Sequence, residues 1–118
     1  MTKEIQLHKP TFNYLEIKHL KNCIKSGWVS NRGKFVEDFR RKLKLLTGAK
    51  YVIPTINGTA ALHVSLKICG VKKGDEVIVP SLTYIASVNA IRYSNASPIF
   101  MDSEDDLNIS VKKVLKFI

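Results

Sequence analysis

Ile53-Pro-Thr-Ile-Asn-Gly-Thr-Ala-Ala-Leu-His-Val-Ser-Leu66 is the stretch on which the fold turns. It follows a short run, Tyr51-Val-Ile53, that reads as a strand, and Pro54 ends that run because it has no N–H to donate. Asn57 is a good N-cap, and Leu62, Val64, Leu66 and Ile68 supply an apolar side to the helix it would open. Such a helix starts with free backbone N–H groups and partial positive charge, which together hold an anion such as phosphate without Lys or Arg. Gly58 lets the backbone approach that anion, Thr59 adds a hydroxyl donor, and Ala60 and Ala61 leave the entrance uncrowded. The same residues also suit an ordinary capped helix packed into a core, and this stretch alone does not separate the two readings.

The residues on either side predict strand–helix alternation. Glu76-Val-Ile-Val-Pro80 and Pro98-Ile-Phe-Met101 are short apolar strands. Residues 57–69, 83–95 and 110–117 read as helices, with Gly70 after the first and a Lys73-Gly-Asp75 turn before the second strand. Uninterrupted apolar strands alternating with helices predict a mainly parallel α/β sheet. In such sheets ligands sit beyond the carboxyl ends of the strands, the edge occupied by both Pro54–Thr59 and Pro80–Tyr84. Ser81 or Thr83 can cap the helix after Pro80, which places Tyr84 in its first turn at the sheet rim. There its ring can stack on a planar cofactor or fill a core. Two such loops on one edge favour a site.

Upstream, residues 11–26 read as an amphipathic helix with an Asn13–Glu16 capping box, a Leu15, His19, Leu20 and Ile24 stripe, and a stop at Gly27. Residues 34–47 form a second helix with Phe35, Phe39, Leu43 and Leu46 on its buried side and Gly48 as its stop. Between them Gly27-Trp-Val-Ser-Asn-Arg-Gly33 displays the single Trp, either as a lid over an apolar gap or as a ligand or subunit contact.

The 118 residues suffice for one domain with a core, and 45% apolar with 25% charged residues is the balance of a soluble globular protein. No run approaches the ~18 apolar residues of a membrane span, and the first residues lack an apolar signal core. Cys23 and Cys69 stand apart, as reduced cytoplasmic thiols do, and the three His lack metal-ligand spacing, so no metal and no membrane partner is expected. The net charge of +9 is scattered over helix faces such as Lys18, Lys21 and Lys25. It lacks the interleaved aromatics of an RNA-binding sheet, so no nucleic acid is expected either.

Four pieces, in order, closely resemble the start of the DegT/DnrJ/EryC1/StrS family: Ser26-Gly-Trp-Val-Ser-Asn-Arg-Gly33, Asn57-Gly-Thr-Ala-Ala-Leu-His63, Gly74-Asp-Glu-Val-Ile-Val-Pro-Ser-Leu-Thr-Tyr84 and Asn89-Ala-Ile91. Pro98–Asp102 and Leu107–Ile109 fit the strand and turn that follow, so the resemblance covers nearly the whole chain. These are aminotransferases that use pyridoxal 5'-phosphate (PLP) to aminate nucleotide-linked keto sugars. The resemblance implies the N-terminal part of a PLP-dependent transferase fold type I large domain, incomplete here. Residues 1–49 would be a helical segment with a substrate-side loop, and residues 50–118 the first three strand–helix units. It implies that Gly58, Thr59 and Ala60 bind the PLP phosphate, that Tyr84 stacks on the pyridine, and that Trp28, Ser30 and Asn31 lie on the substrate side near a dimer interface. Asp102 is read as structural and Glu104, Asp105 and Asp106 as a solvated turn, because the family takes its acid for the pyridine nitrogen from a later strand.

Family members resemble this chain over roughly their first third, so that acid and the Schiff-base lysine are missing and no catalytic residue is assigned. The family's full-length form is expected to be a cytoplasmic homodimer that takes nitrogen from an amino acid, glutamate being the expected donor, for polysaccharide sugars. The chain alone is expected to be inactive, with exposed apolar edges and a tendency to aggregate. Rival readings are a PLP-dependent sugar dehydratase of the same family, a non-catalytic truncated relative acting as a binding module, and an unrelated nucleotide-phosphate domain. The last lacks its GxGxxG or P-loop.

Overall fold

Asn13 opens the first helix by exchanging bonds with Glu16. Leu15 N donates to Asn13 Oδ1 at 2.7 Å, and Asn13 N donates to Glu16 Oε2 at 2.7 Å. That capping box starts α1 (Tyr14–Ser26), which stops at Gly27 with φ +73°. The computed structural model describes Ile5 and residues 8–118. Its remaining elements are α2 (Lys34–Thr47), α3 (Gly58–Ile68), β1 (Glu76–Pro80), α4 (Ile85–Tyr93), β2 (Ser97–Met101) and α5 (Val111–Phe117). The chain divides into two compact units, one ending at Pro54 and the other beginning at Thr55.

The first unit holds α1 and α2. Phe35 of α2 is half-buried and meets the His19 ring of α1 edge-on, with centroids 5.7 Å apart. The expected buried side of α2 is covered only in part. Phe35 and Leu43 are half-buried, whereas Phe39 and Leu46 are exposed.

In the second unit β1 and β2 pair in parallel, Ile78 opposite Ile99, joined by the α4 crossover that parallel pairing requires. Val79, Ile91 and Ala96 form the buried centre, and Leu66, Val71, Val77 and Val88 pack against it. Ser81 N donates to Met101 O at 2.8 Å and Ser97 N to Asp75 O at 2.8 Å, extending the pairing past both strand ends. Asn95, with φ +58°, turns the chain from α4 into β2; Asn tolerates this left-handed conformation better than most residues.

The strand expected at Tyr51–Ile53 is absent. A strand exists by its pairing, and among the described residues only β1 with β2 and an isolated Ser103–Ile109 bridge are paired. Tyr51 and Ile53 are exposed. Two of the three expected strand–helix units therefore carry a strand. Glu104 and Asp106 are also more than a solvated turn. The Ser110 hydroxyl, buried, donates to the Glu104 carboxylate, and Asn108 donates to Asp106 through both its backbone N (3.0 Å) and its side chain (3.0 Å). The loop is closed by Ser110 N donating to Asp102 O (2.8 Å) and by Lys113 Nζ donating to Asp102 Oδ2 (2.5 Å).

Candidate phosphate-binding site

Asn57 caps α3 as its sequence predicts. Its φ of −161° and ψ of 171° are extended, its Oδ1 accepts from Ala60 N at 2.8 Å, and its carbonyl accepts from Ala61 N at 3.1 Å. Of the orphan donors at this helix start, the cap therefore satisfies the third. The N–H groups of Gly58 and Thr59 donate to no acceptor among the described residues. A Cβ added at Gly58 would meet nothing within 4 Å. The glycine is thus not required by backbone conformation; what it contributes is open approach to the two free donors.

Tyr84 is the N-cap of α4 rather than a residue of its first turn. Neither Ser81 nor Thr83 caps that helix, which has no side-chain cap bond, and the Thr83 hydroxyl instead donates to Ser87 Oγ at 3.2 Å. Tyr84 is 80% exposed, so it is not a core residue of this unit. Because α4 leaves the carboxyl end of β1, its start lies at that edge of the sheet. The C-terminal end of α3 leads through Val71 and Asp75 into the amino end of β1, and α3 packs along α4. Both helix starts consequently lie toward the carboxyl edge of the sheet, where α/β folds bind ligands.

Further along α3, His63 closes the Asn57–His63 motif, though the sequence gives it no role of its own. Its ring meets Tyr93 of α4 edge-on at 5.8 Å, and its Nε2 is buried without a partner. Its place four residues after Thr59, on the same helical face, is the signal that marks it.

Trp28 and Ser30 belong to the first unit, where they line a hollow of about 290 Å³ together with Leu20, Cys23 and Phe35. Asn31 does not line it. The start of the loop is pinned to the last turn of α1: Cys23 Sγ donates to Trp28 O at 2.9 Å, and Trp28 N donates to Ser26 Oγ at 3.3 Å. Trp28 also lies against Gly33, whose φ is +122° and where an added Cβ would come within 2.9 Å of Trp28 Cβ, leaving no room for a side chain.

Asp102 lies at the same edge, just after β2, but it is engaged. Its carboxyl is held below the ordinary value of 3.8 by the hydrogen bond from Lys113 and then by the charge of that ammonium. Among the described residues no group of His, Cys, Asp and Glu is arranged to hold a metal ion.

Comparison with known proteins extends these observations. A GDP-perosamine synthase of Escherichia coli O157:H7 is 42% identical over 104 residues, which is 88% of this chain and 29% of that protein. The chain thus spans less than a third of that relative's length. Among solved structures, a Streptococcus pneumoniae protein assigned as a sugar aminotransferase, Spr1654, in its PLP form, superposes with a TM-score of 0.88 at 30% identity. That match covers 98% of this chain and 30% of that one. The fold is also that of an E. coli GDP-4-keto-6-deoxy-D-mannose-3-dehydratase with bound hydrated PLP, with a TM-score of 0.79 and 23% identity over 95% of this chain and 30% of that chain. That last likeness concerns fold alone. The fold is therefore the N-terminal part of a PLP-dependent transferase fold type I large domain. With the family model of the DegT/DnrJ/EryC1/StrS aminotransferases matching residues 11–118, the chain belongs to that family.

Proposed function

We propose that the protein carrying this chain is a PLP-dependent aminotransferase that moves an amino group from an amino acid, glutamate, to a nucleotide-linked keto sugar. It would act as a cytoplasmic homodimer in polysaccharide sugar synthesis. The observation that carries the reading is the pair of unpartnered N–H groups at Gly58 and Thr59, set at the positive end of α3 with open space in front of them. A dianionic phosphate ester fits that donor set, and Thr59 adds its hydroxyl. Ala60, whose N–H is already given to Asn57, contributes a small side chain rather than a donor. Tyr84, exposed at the start of α4, offers a flat ring for a pyridine to lie against.

When bound, PLP supplies the electron sink that makes amino transfer feasible. The residues of this chain then anchor its phosphate and orient its ring, and Trp28, Ser30 and Asn31 are assigned to the sugar nucleotide on the family resemblance alone. No lysine of this chain is assigned to the chemistry. GDP-perosamine synthase among the relatives supports a nucleotide-sugar acceptor. The test is spectroscopic and analytical. PLP absorbance of a protein containing this chain should change on adding glutamate, and incubation with a keto sugar nucleotide should yield the amino sugar. Loss of water from the sugar with no amine in the product would make it a dehydratase.

A further inference from the structure

We propose that Asn57 is a site of spontaneous covalent modification, in which the backbone nitrogen of Gly58 attacks the Asn57 side-chain amide and turns the helix cap into a carboxylate. Asn57-Gly58 is the single Asn-Gly pair among the seven Asn of the sequence. The step balances without an oxidant. A bond forms between Gly58 N and Asn57 Cγ, the Cγ–Nδ2 bond breaks, and the amide nitrogen leaves as ammonia with the proton lost from Gly58 N. Water then opens the five-membered imide at either carbonyl, giving Asp or isoaspartate.

Three features of the structure favour the attack. Gly58 has no Cβ to hinder its nitrogen, and the space around it is open. Its N–H has no acceptor, so no hydrogen bond holds the attacking nitrogen in place. Both residues are exposed to water. One feature opposes it: the carboxamide is held by Ala60 N at 2.8 Å, and ring closure requires its release and a rotation away from the Asn57 ψ of 171°. The reaction therefore proceeds through opening of the first turn of α3, and its rate reports that opening. Asp still caps a helix, whereas isoaspartate lengthens the backbone by one carbon and spoils the turn. Either product sets a negative charge beside the two free donors. The consequence for phosphate binding rests on the reading of these donors as the PLP site; the modification itself does not.

A protein containing this chain is incubated in mildly alkaline buffer and digested with trypsin, and its peptides are followed by mass and by isoaspartyl methyltransferase labelling. Peptide 51–67, with Asn57 as its only Asn, should gain the amide-to-acid mass ahead of peptide 93–112, which holds Asn95 and Asn108. Gly58→Ala, whose Cβ meets open space, should slow the change severalfold while keeping the helix start. Unfolding the chain in urea should accelerate it. Equal rates in the two peptides, no effect of Gly58→Ala, or no acceleration in urea would overturn the proposal. If peptide 51–67 changes as expected but added PLP does not slow it, the modification stands and the phosphate reading fails.

Discussion

Thr59 offers the sharpest test of the phosphate reading among single residues, because it brings both a backbone donor and a hydroxyl to the start of α3. Thr59→Ala removes the hydroxyl alone. A hydrogen bond to a charged group is worth about 1.5–3 kcal/mol, so PLP affinity should fall roughly ten- to a hundredfold in an equilibrium titration. Unchanged affinity would remove Thr59 from the site. Gly33 makes a different demand. Its φ of +122° and its contact with Trp28 mean that Gly33→Ala strains the backbone and pushes on the indole. It should cost about 1–3 kcal/mol in denaturant unfolding and shift Trp28 fluorescence. The cap at Asn57 was legible in sequence because capping is local chemistry. The engagement of Ala60 N by that cap was not, since the same motif could have offered all three donors to a ligand.

Elements defined by local bonds were read well, and those defined by distant partners were not. The Asn13–Glu16 box, the Gly27 and Gly48 stops and the full span of α2 follow from residues within a turn of each other. Tyr51–Ile53 has strand-forming residues but no ladder, and pairing depends on residues far away in sequence. α4 starts at Ile85, with Tyr84 as its N-cap, because Ser81 is drawn into the sheet by Met101 and Thr83 turns to Ser87. The link between β2 and α5 carries its own prediction. Lys113 holds Asp102 below 3.8, and Asp102 holds Lys113 above 10.5, each chiefly through their hydrogen bond. A depressed acid contributes stability above its unfolded value that is lost as pH falls through the folded one. A raised base contributes below its unfolded value and loses that contribution as pH rises. Asp102→Asn should therefore differ from the parent by a small, salt-sensitive amount between about pH 4 and pH 10, and the difference should vanish at both extremes. A difference that persists in strong acid would contradict the pairing.

At the scale of the whole molecule, the apolar side chains left in water are the dominant feature. Ile53, Ile56, Leu46, Phe100 and Leu115 are all more than half exposed, in both units. Such surface in contact with water favours association. The fold class was legible because strand–helix alternation is written in hydrophobic periodicity, and the family because four motifs keep their order. The sugar acceptor was not, because base and ring recognition depend on side chains brought together from separate stretches. The central claim is that PLP seats its phosphate on α3 and its ring beneath Tyr84. A crystal structure of a protein containing this chain, grown with PLP, tests it most directly. Phosphate oxygens should lie about 2.7–3.2 Å from the Gly58 and Thr59 nitrogens, with the Tyr84 ring flat against the pyridine. A phosphate bound elsewhere, with Gly58 and Tyr84 facing away from it, would contradict the claim.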